Sequence, residues 1–144
     1  MSDVSLDFFK KYHRAVCLSL EDNIKKVNAK IGSIFANDFL DSLDTELESV
    51  EDFARGFEGY LTDLNFADTI RVTCAQKDYN IDITGCRICH GNELLRQEKK
   101  QTACPILQTA NYAMLKSMGR NVKTKGVKKT GVVGECTLQY ELMS

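Results

Sequence analysis

An α+β fold, an antiparallel sheet covered by helices, is predicted by three features of this 144-residue chain. Apolar residues recur at steps of three and four through the first 65 residues, the mark of amphipathic helices. The period then drops to two at about Thr69, the mark of strands with one buried face. Finally, strands and helices segregate along the chain instead of alternating one by one, in the order helix, helix, hairpin, helix, hairpin. The whole chain reads as one domain, with a helical part at 1–65 and a part at 66–144 that carries the sheet, a Cys-rich loop and the third helix.

The first helix is carried by Val16, Leu20, Ile24, Val27, Ile31, Ile34, Phe35 and Phe39, one apolar stripe opposite Lys25, Lys26, Asn28 and Lys30. It is expected to start near Ser5 or later and to end by Leu43. His13 precedes the stripe and reads as solvated, and Cys17 lies beside it as a core residue. A second helix is expected from Asp44-Thr45-Glu46, with Thr45 and Glu48 forming a capping box. Its buried stripe is Leu47, Val50, Phe53, Phe57, Leu61 and Leu64.

Ile70, Val72 and Cys74 alternate with Arg71 and Thr73, and Tyr79, Ile81 and Ile83 alternate with Asn80, Asp82 and Thr84. Gln76-Lys77-Asp78 supplies the turn between these arms. Gly85 ends the second strand, and the polar run Gly91–Gln101 reads as a loop or a short weak helix. The third helix has Thr102 as N-cap, Pro105 in the first turn, where its missing N–H is harmless, and Gly119 as C-terminal stop. The last hairpin runs Arg120 to Lys129 and Glu135 to Leu142 around Thr130-Gly131. Cys136, Leu138, Tyr140 and Leu142 share its inward face. The basic run Arg120, Lys123, Lys125, Lys128 and Lys129 reads as a charged edge that blocks strand pairing rather than as a nucleic-acid site.

Net charge is −1, so no bulk field favours nucleic acid or acidic lipid. No apolar run approaches the roughly 20 residues of a membrane span. The start of the chain shows no basic stretch before an apolar one, so a cytoplasmic protein without a leader is expected. Six cysteines in such a chain point to thiols or metal ligands rather than structural disulfides.

The chemistry-bearing residues are Cys86, Cys89, His90, Cys104 and Cys136. Cys86-Arg87-Ile88-Cys89-His90 is a CxxCH string with two readings. It can attach a c-type haem through two thioethers with His90 as axial ligand, or supply one thiolate pair of a metal or redox site. In the second reading Cys86, Cys89, Cys104 and Cys136 form a site suited to zinc, with His90 as a substitute ligand, or a redox switch. The plainer alternative is that Cys104 and Cys136 are small packing residues. Cys104 opens a helix, whose dipole is expected to lower its pKa. Cys74 shares a face with Ile70 and Val72 and reads as core. The aromatics Phe35, Phe39, Phe53, Phe57, Tyr112 and Tyr140 are candidates for a ligand pocket, against the alternative that they are plain core.

Residues from about Thr69 to Leu142 resemble the 4-vinyl reductase domain. The resemblance rests on Cys86-x-x-Cys89 after the second strand, Cys104 at the start of the third helix, Met118-Gly119-Arg120 at its end, and Gly134-Glu135-Cys136-Thr137-Leu138 opening the last strand. That family is related in fold to TRAPP vesicle-tethering subunits and to haem nitric-oxide-binding domains. The resemblance implies a pocket for an apolar or aromatic small molecule, and a homodimer. In the family's aromatic-sensing activators zinc is held by three Cys and one Glu. Two of those Cys positions match Cys104 and Cys136. The other two ligand positions fall at Lys125 to Lys129, so Cys86, Cys89 or His90 would have to complete the shell here. No helix-turn-helix, ATPase region, phosphate-binding glycine loop or Ser-His-Asp set is present. The expectation is therefore a small-molecule-binding or sensor module with a Cys-rich metal or redox site, acting through an effector partner. A haem or tetrapyrrole protein is the alternative, and an enzyme is not favoured.

Overall fold

The computed structural model describes residues 5–143. The first four residues, part of the stretch read above for a leader, lie outside the described residues. Among the described residues no helix is long and apolar enough to cross a membrane.

Helix α1 spans Leu6–Leu20, opened by Ser5, whose hydroxyl accepts from Phe8 N–H at 3.1 Å. Here the structure departs from the single long helix of the periodicity. A 3-10 turn at Glu21–Asn23 follows, with Glu21 at φ 50°, and α2 then runs Ile24–Ser42. The apolar step passes through the break undisturbed, so the pattern hides it. The break turns α1 away, and Cys17 and Ile24 pack with Leu95 in a small satellite core. Helix α3 spans Val50–Asp63. Its N-cap is Ser49, not Thr45: Ser49 Oγ accepts from Asp52 N–H at 3.1 Å, and Asp52 accepts from Glu48 N–H at 3.3 Å.

Strands β1 (Thr69–Ala75) and β2 (Asp78–Thr84) form the expected hairpin, with Ala75 opposite Asp78 and Gln76 at φ 56° in the turn. Helix α4 covers Arg87–Gln97, where a loop or weak helix was expected. Helix α5 covers Pro105–Met118 and stops at Gly119, φ 68°, as predicted. Its N-cap is Cys104, two residues later than Thr102. Strands β3 (Val122–Lys129) and β4 (Cys136–Leu142) close the sheet in the order β1-β2-β4-β3, antiparallel throughout. Lys123, Lys125, Lys128 and Lys129 of the basic run thus lie on an edge strand, which bulges between Thr124 and Gly126, and Arg120 precedes it. At the opposite edge Glu58 accepts the outward N–H of Val72 at 2.8 Å. Both edges are blunted against pairing.

One face of the sheet is covered. Val72, Tyr79, Ile81, Ile83, Cys136, Leu138, Tyr140 and Leu142 are buried there, while Arg71, Thr73 and Asp82 stay exposed on the other face. One apolar core spans both halves of the chain, from Ala36 to Leu142. Tyr79 and Tyr140 stand opposite each other on β2 and β4 and stack at 4.9 Å. Their hydroxyls donate to the α5 carbonyls of Ala110 (3.1 Å) and Leu107 (2.9 Å), which seats α5 on the sheet.

Helix α2 lies against the other side of α5, with Gly32 at the closest approach. A Cβ built on Gly32 would fall 2.6 Å from Gln108 Cβ and 2.8 Å from Thr109 N. Alanine would gain about 1 kcal/mol of intrinsic helix propensity. It would also drive a methyl into helix backbone, which typically costs about 1–3 kcal/mol. The clash should win. Gly32→Ala is expected to lower the urea midpoint of unfolding, and a raised midpoint would show that the two helices do not approach so closely.

Candidate functional site

The CxxC segment sits at the start of α4, with Cys86 as N-cap and Cys89 in the first turn. Two glycines with positive φ bring it against β4. Gly85 (φ 65°) turns the chain out of β2 over Asp68, where a Cβ would meet the Asp68 carboxylate at 2.2 Å. Gly134 (φ 96°) leads into β4, and a Cβ there would press on Cys86 N at 3.2 Å and His90 Nε2 at 3.4 Å. Across this close approach Cys86 N–H donates to Gly134 O at 3.0 Å, and Arg87 N–H donates to Phe66 O at 2.9 Å. Sheet register then places Cys136 between Ile83 on β2 and Lys129 on β3.

Cys104 is delivered by a clamp that sequence reasoning missed. Buried Asn92 on α4 donates to Ala103 O at 3.0 Å and accepts from Ala103 N–H at 3.1 Å. The same Asn92 oxygen lies 2.8 Å from His13 Nε2, which must carry the proton, since an amide oxygen only accepts. Cys17 Sγ lies 3.7 Å from that nitrogen. Asn28 on α2 donates to Cys104 O at 3.2 Å. His13 is therefore half-buried and bonded, not solvated as expected. Its ring sits where a Gly91 Cβ would be, 2.8 Å away. The available signals were an asparagine inside a helix and a glycine beside it, both poor helix formers that need a tertiary reason.

The four cysteines named from the sequence form one cluster, Cys89, Cys104 and Cys136 in the wall of one cleft and Cys86 at the cap of the helix that carries Cys89, and all six in the chain are free thiols. Cys89 is its centre. The thiols of Cys136 and Cys86 hydrogen-bond to Cys89 Sγ, and Lys129 and Arg96 add positive potential, so Cys89 is held well below the usual thiol range. Its place in the first turn of α4 acts the same way. The partners move in the opposite direction. Donating to Cys89, then burial, pushes Cys86 and Cys136 well up. Cys104 is also raised. Burial outweighs the N–H groups of Leu107 and Ile106, and the Cys89 charge adds to burial. The helix-dipole expectation of a lowered Cys104 is thus corrected, because desolvation of a thiolate exceeds what one helix end returns. Cys74, half-buried on β1, is pushed up to about 11 by burial and Glu51 and behaves as the core residue it was read as.

These opposed shifts fix a pH profile under reducing conditions. The lowered Cys89 contributes stability that is present above the unfolded thiol value and is lost as pH falls through its folded value. The raised Cys86, Cys104 and Cys136 contribute stability that is present below the unfolded value, near about 8.5, and is lost as pH rises beyond it. The thiol contribution to stability is expected to peak at about pH 8. Urea midpoints measured with a phosphine reductant from pH 5 to pH 10, wild type against a variant lacking the four cluster thiols, check this. A difference flat with pH would remove the cluster.

Two openings meet at Cys89. One is a cleft of about 440 Å³ lined by Cys89, Cys104 and Cys136 together with Lys25, Arg96 and Lys129. The other, about 190 Å³, lies on the side of the Gly131–Gly134 turn and shares Cys89, Arg96 and Lys129 with the first. Cys86 is only 3 % exposed and is not among the residues lining either opening, which leaves the haem reading with the CxxCH string alone. His90 comes next to Gly134.

The pocket aromatics divide. Phe35 lines an apolar cavity of about 320 Å³ with Phe9, Tyr12, Val16, Phe66 and Ile88. Phe39, Phe53, Phe57 and Tyr140 do not; each is fully buried in the core, ring against ring. Tyr112 borders a separate opening of about 150 Å³ beside Asn121 and Val122. Rings at helical spacing on α2 and α3 fill the core rather than leave a void in it.

The four thiols are the donor set of a tetrahedral sulfur site. Among the described residues, however, no three or more His, Cys, Asp or Glu side chains are arranged to hold a metal ion. A profile of the family described as "Putative rubredoxin C-terminal domain" matches residues 19–138. The chain belongs to this family. The match contains all four cluster cysteines, Asn92 and the whole sheet up to Leu138, whereas His13 and the α1 side of the apolar cavity lie before it. No curated protein matches the chain.

Proposed function

We propose that this rubredoxin C-terminal domain is a thiol redox module, in which Cys89 is the reacting sulfur and Cys136 or Cys86 the resolving one, working through a partner protein or domain. The observation that carries the proposal is that Cys89, in the first turn of α4, lies where two openings meet, with Cys136 and Cys104 in the wall of one of them and Cys86 at the cap of the same helix. In the reduced form these thiols share one negative charge. On oxidation Cys89 and one neighbour form a disulfide, giving up two electrons and the remaining proton to an acceptor. A family description that ties the domain to a rubredoxin supports a redox or metal setting.

A second reading is favoured by one observation, the convergence of four thiols from three separate segments. Zinc or iron would be held by Cys86, Cys89, Cys104 and Cys136, which would have to close up around the ion. One preparation tests both. Protein purified without added metal is analysed for metal per chain and divided: one part is alkylated as it stands, and the other is first treated with a mild thiol oxidant and then mapped by mass spectrometry. The redox reading expects accessible thiols and a new disulfide from Cys89 to Cys136 or Cys86. About one metal per chain, with the four cysteines protected from alkylation, would replace it with the metal reading. Intact thiols after oxidation and no metal would end both.

The 4-vinyl reductase-like resemblance adds a small-molecule site, a homodimer and an effector to this proposal. The apolar cavity supports the first. Its wall includes Ile88, between the two cysteines of the CxxC, and Pro105 and Ile106, just after Cys104. An apolar ligand there would press on the segments that position the thiols.

A further inference from the structure

We propose that the cleft beside Cys89 admits small disulfides that carry carboxylate groups, and that these are the oxidants of the thiol cluster. The inference rests on the redox reading above and adds to it the chemical class of the substrate.

The cleft has the size of a small-molecule site, about 440 Å³ where such sites start near about 300 Å³. Three sulfurs line it, those of Cys89, Cys104 and Cys136. Its charged lining residues are Lys25 on α2, Arg96 on α4 and Lys129 on β3, and no carboxylate is among the residues that line it. This is a local feature of a chain whose net charge is −1, so the cleft does not simply share a general basicity. Three cations from three elements around one reactive sulfur favour a substrate that brings negative charge close to its own sulfurs. Gln101, Thr102 and Gln108 add amide and hydroxyl groups to the same walls. Glu93, the carboxylate paired with Arg96 at 3.4 Å, lines the second opening instead.

The exchange balances without a further reagent. The Cys89 thiolate attacks one sulfur of the disulfide, a Cys89–S–S–R bond forms, and the first R–S⁻ leaves. The Cys136 thiol, in the wall of the same cleft, then loses its proton to water and attacks Cys89 Sγ. The second R–S⁻ leaves, and a Cys89–Cys136 disulfide remains. Two electrons pass from the protein dithiol to the small disulfide, which becomes two thiols.

The test compares three probes on the pre-reduced protein at pH 7 and low salt: oxidised glutathione (anionic), hydroxyethyl disulfide (neutral) and cystamine (cationic). Mixed disulfide at Cys89 is followed by mass spectrometry, and each rate is divided by that of a free small thiol with the same probe. The normalised anionic rate is expected to exceed the cationic one by at least about tenfold, an advantage that 0.5 M salt removes. Lys25→Gln with Lys129→Gln should reduce the anionic-to-neutral ratio several-fold. A normalised order no different from the free thiol, or a ratio unchanged in the double variant, overturns the substrate class and leaves the redox reading standing. No reaction of Cys89 with any of the three probes overturns both.

Discussion

Cys89→Ser is expected to remove the fast-reacting thiol of the native protein, leaving the other cysteines to alkylate on the order of a hundredfold more slowly at pH 7. The rate follows the fraction of each thiol present as thiolate. Cys89 is the only cluster thiol moved down; Cys86, Cys104 and Cys136 are moved up, and so are Cys17, by burial, and Cys74. A thiol two units above ambient pH is about one part in a hundred thiolate. Iodoacetamide labelling with peptide mapping reads this directly. The cause can be separated from the effect with two variants of the leading neighbour. Cys136→Ala removes the donor and should slow Cys89, whereas Cys136→Ser keeps an O–H donor and should slow it less. Cys104→Ser should leave the fast phase in place, because Cys104 stays a neutral thiol and is not among the groups that hold Cys89 down. A fast phase that maps to Cys104, as a helix-dipole argument alone would have it, would overturn the order of the cluster.

Most of the fold was legible because its signals are local. The two-residue alternation of Ile70, Val72 and Cys74, and of Cys136, Leu138, Tyr140 and Leu142, gave both hairpins and the buried face. Pro105 and Gly119 bracketed α5 to within a residue or two. What escaped is tertiary. The break at Glu21 carries no Gly or Pro, and the apolar step continues through it. Gly91–Gln101 read as a loop or a short weak helix because it is polar; the helix there is fixed by α1 lying on it, with His13 filling the space above Gly91. Thr45 and Ser49 both begin a capping pattern, and the one that caps is the one adjacent to the buried run of α3. At the site, the order of the cysteines along the chain sufficed to group Cys86, Cys89, Cys104 and Cys136. It could not say that Cys89 is the centre, which depends on Sγ positions, nor that burial would reverse the direction at Cys104. The aromatics failed for a related reason: spacing shows which rings face inward, not where packing leaves a gap, and the apolar cavity lies largely against α1.

Phe39→Ala is expected to give the largest loss of stability of any single truncation discussed, about 3–5 kcal/mol, the usual range for a fully buried phenylalanine. Phe39 is 0 % exposed near the end of α2 and touches three rings of α3: Phe53 at 5.8 Å, Phe57 at 5.1 Å and Tyr60 at 5.6 Å. Phe53 meets Tyr79 edge-on at 5.5 Å, and Tyr79 stacks on Tyr140, whose hydroxyl reaches α5. One ring thus joins α2, α3, the sheet and α5, and few neighbours can collapse into its space without opening another gap. Against a total stability of roughly 5–15 kcal/mol for such a domain, the loss is a large share. Phe35→Ala, on the apolar cavity and only partly buried, should cost much less, since the void is already there. Urea unfolding of the three proteins orders them. The thiol cluster is held by other means, the Gly85 and Gly134 crossing and the Asn92 clamp, at the far end of β4 from Tyr140. Folded Phe39→Ala should therefore keep the fast Cys89 phase. A variant that stays folded but loses that phase would show instead that the aromatic chain, and not the local crossing, sets the sulfur geometry.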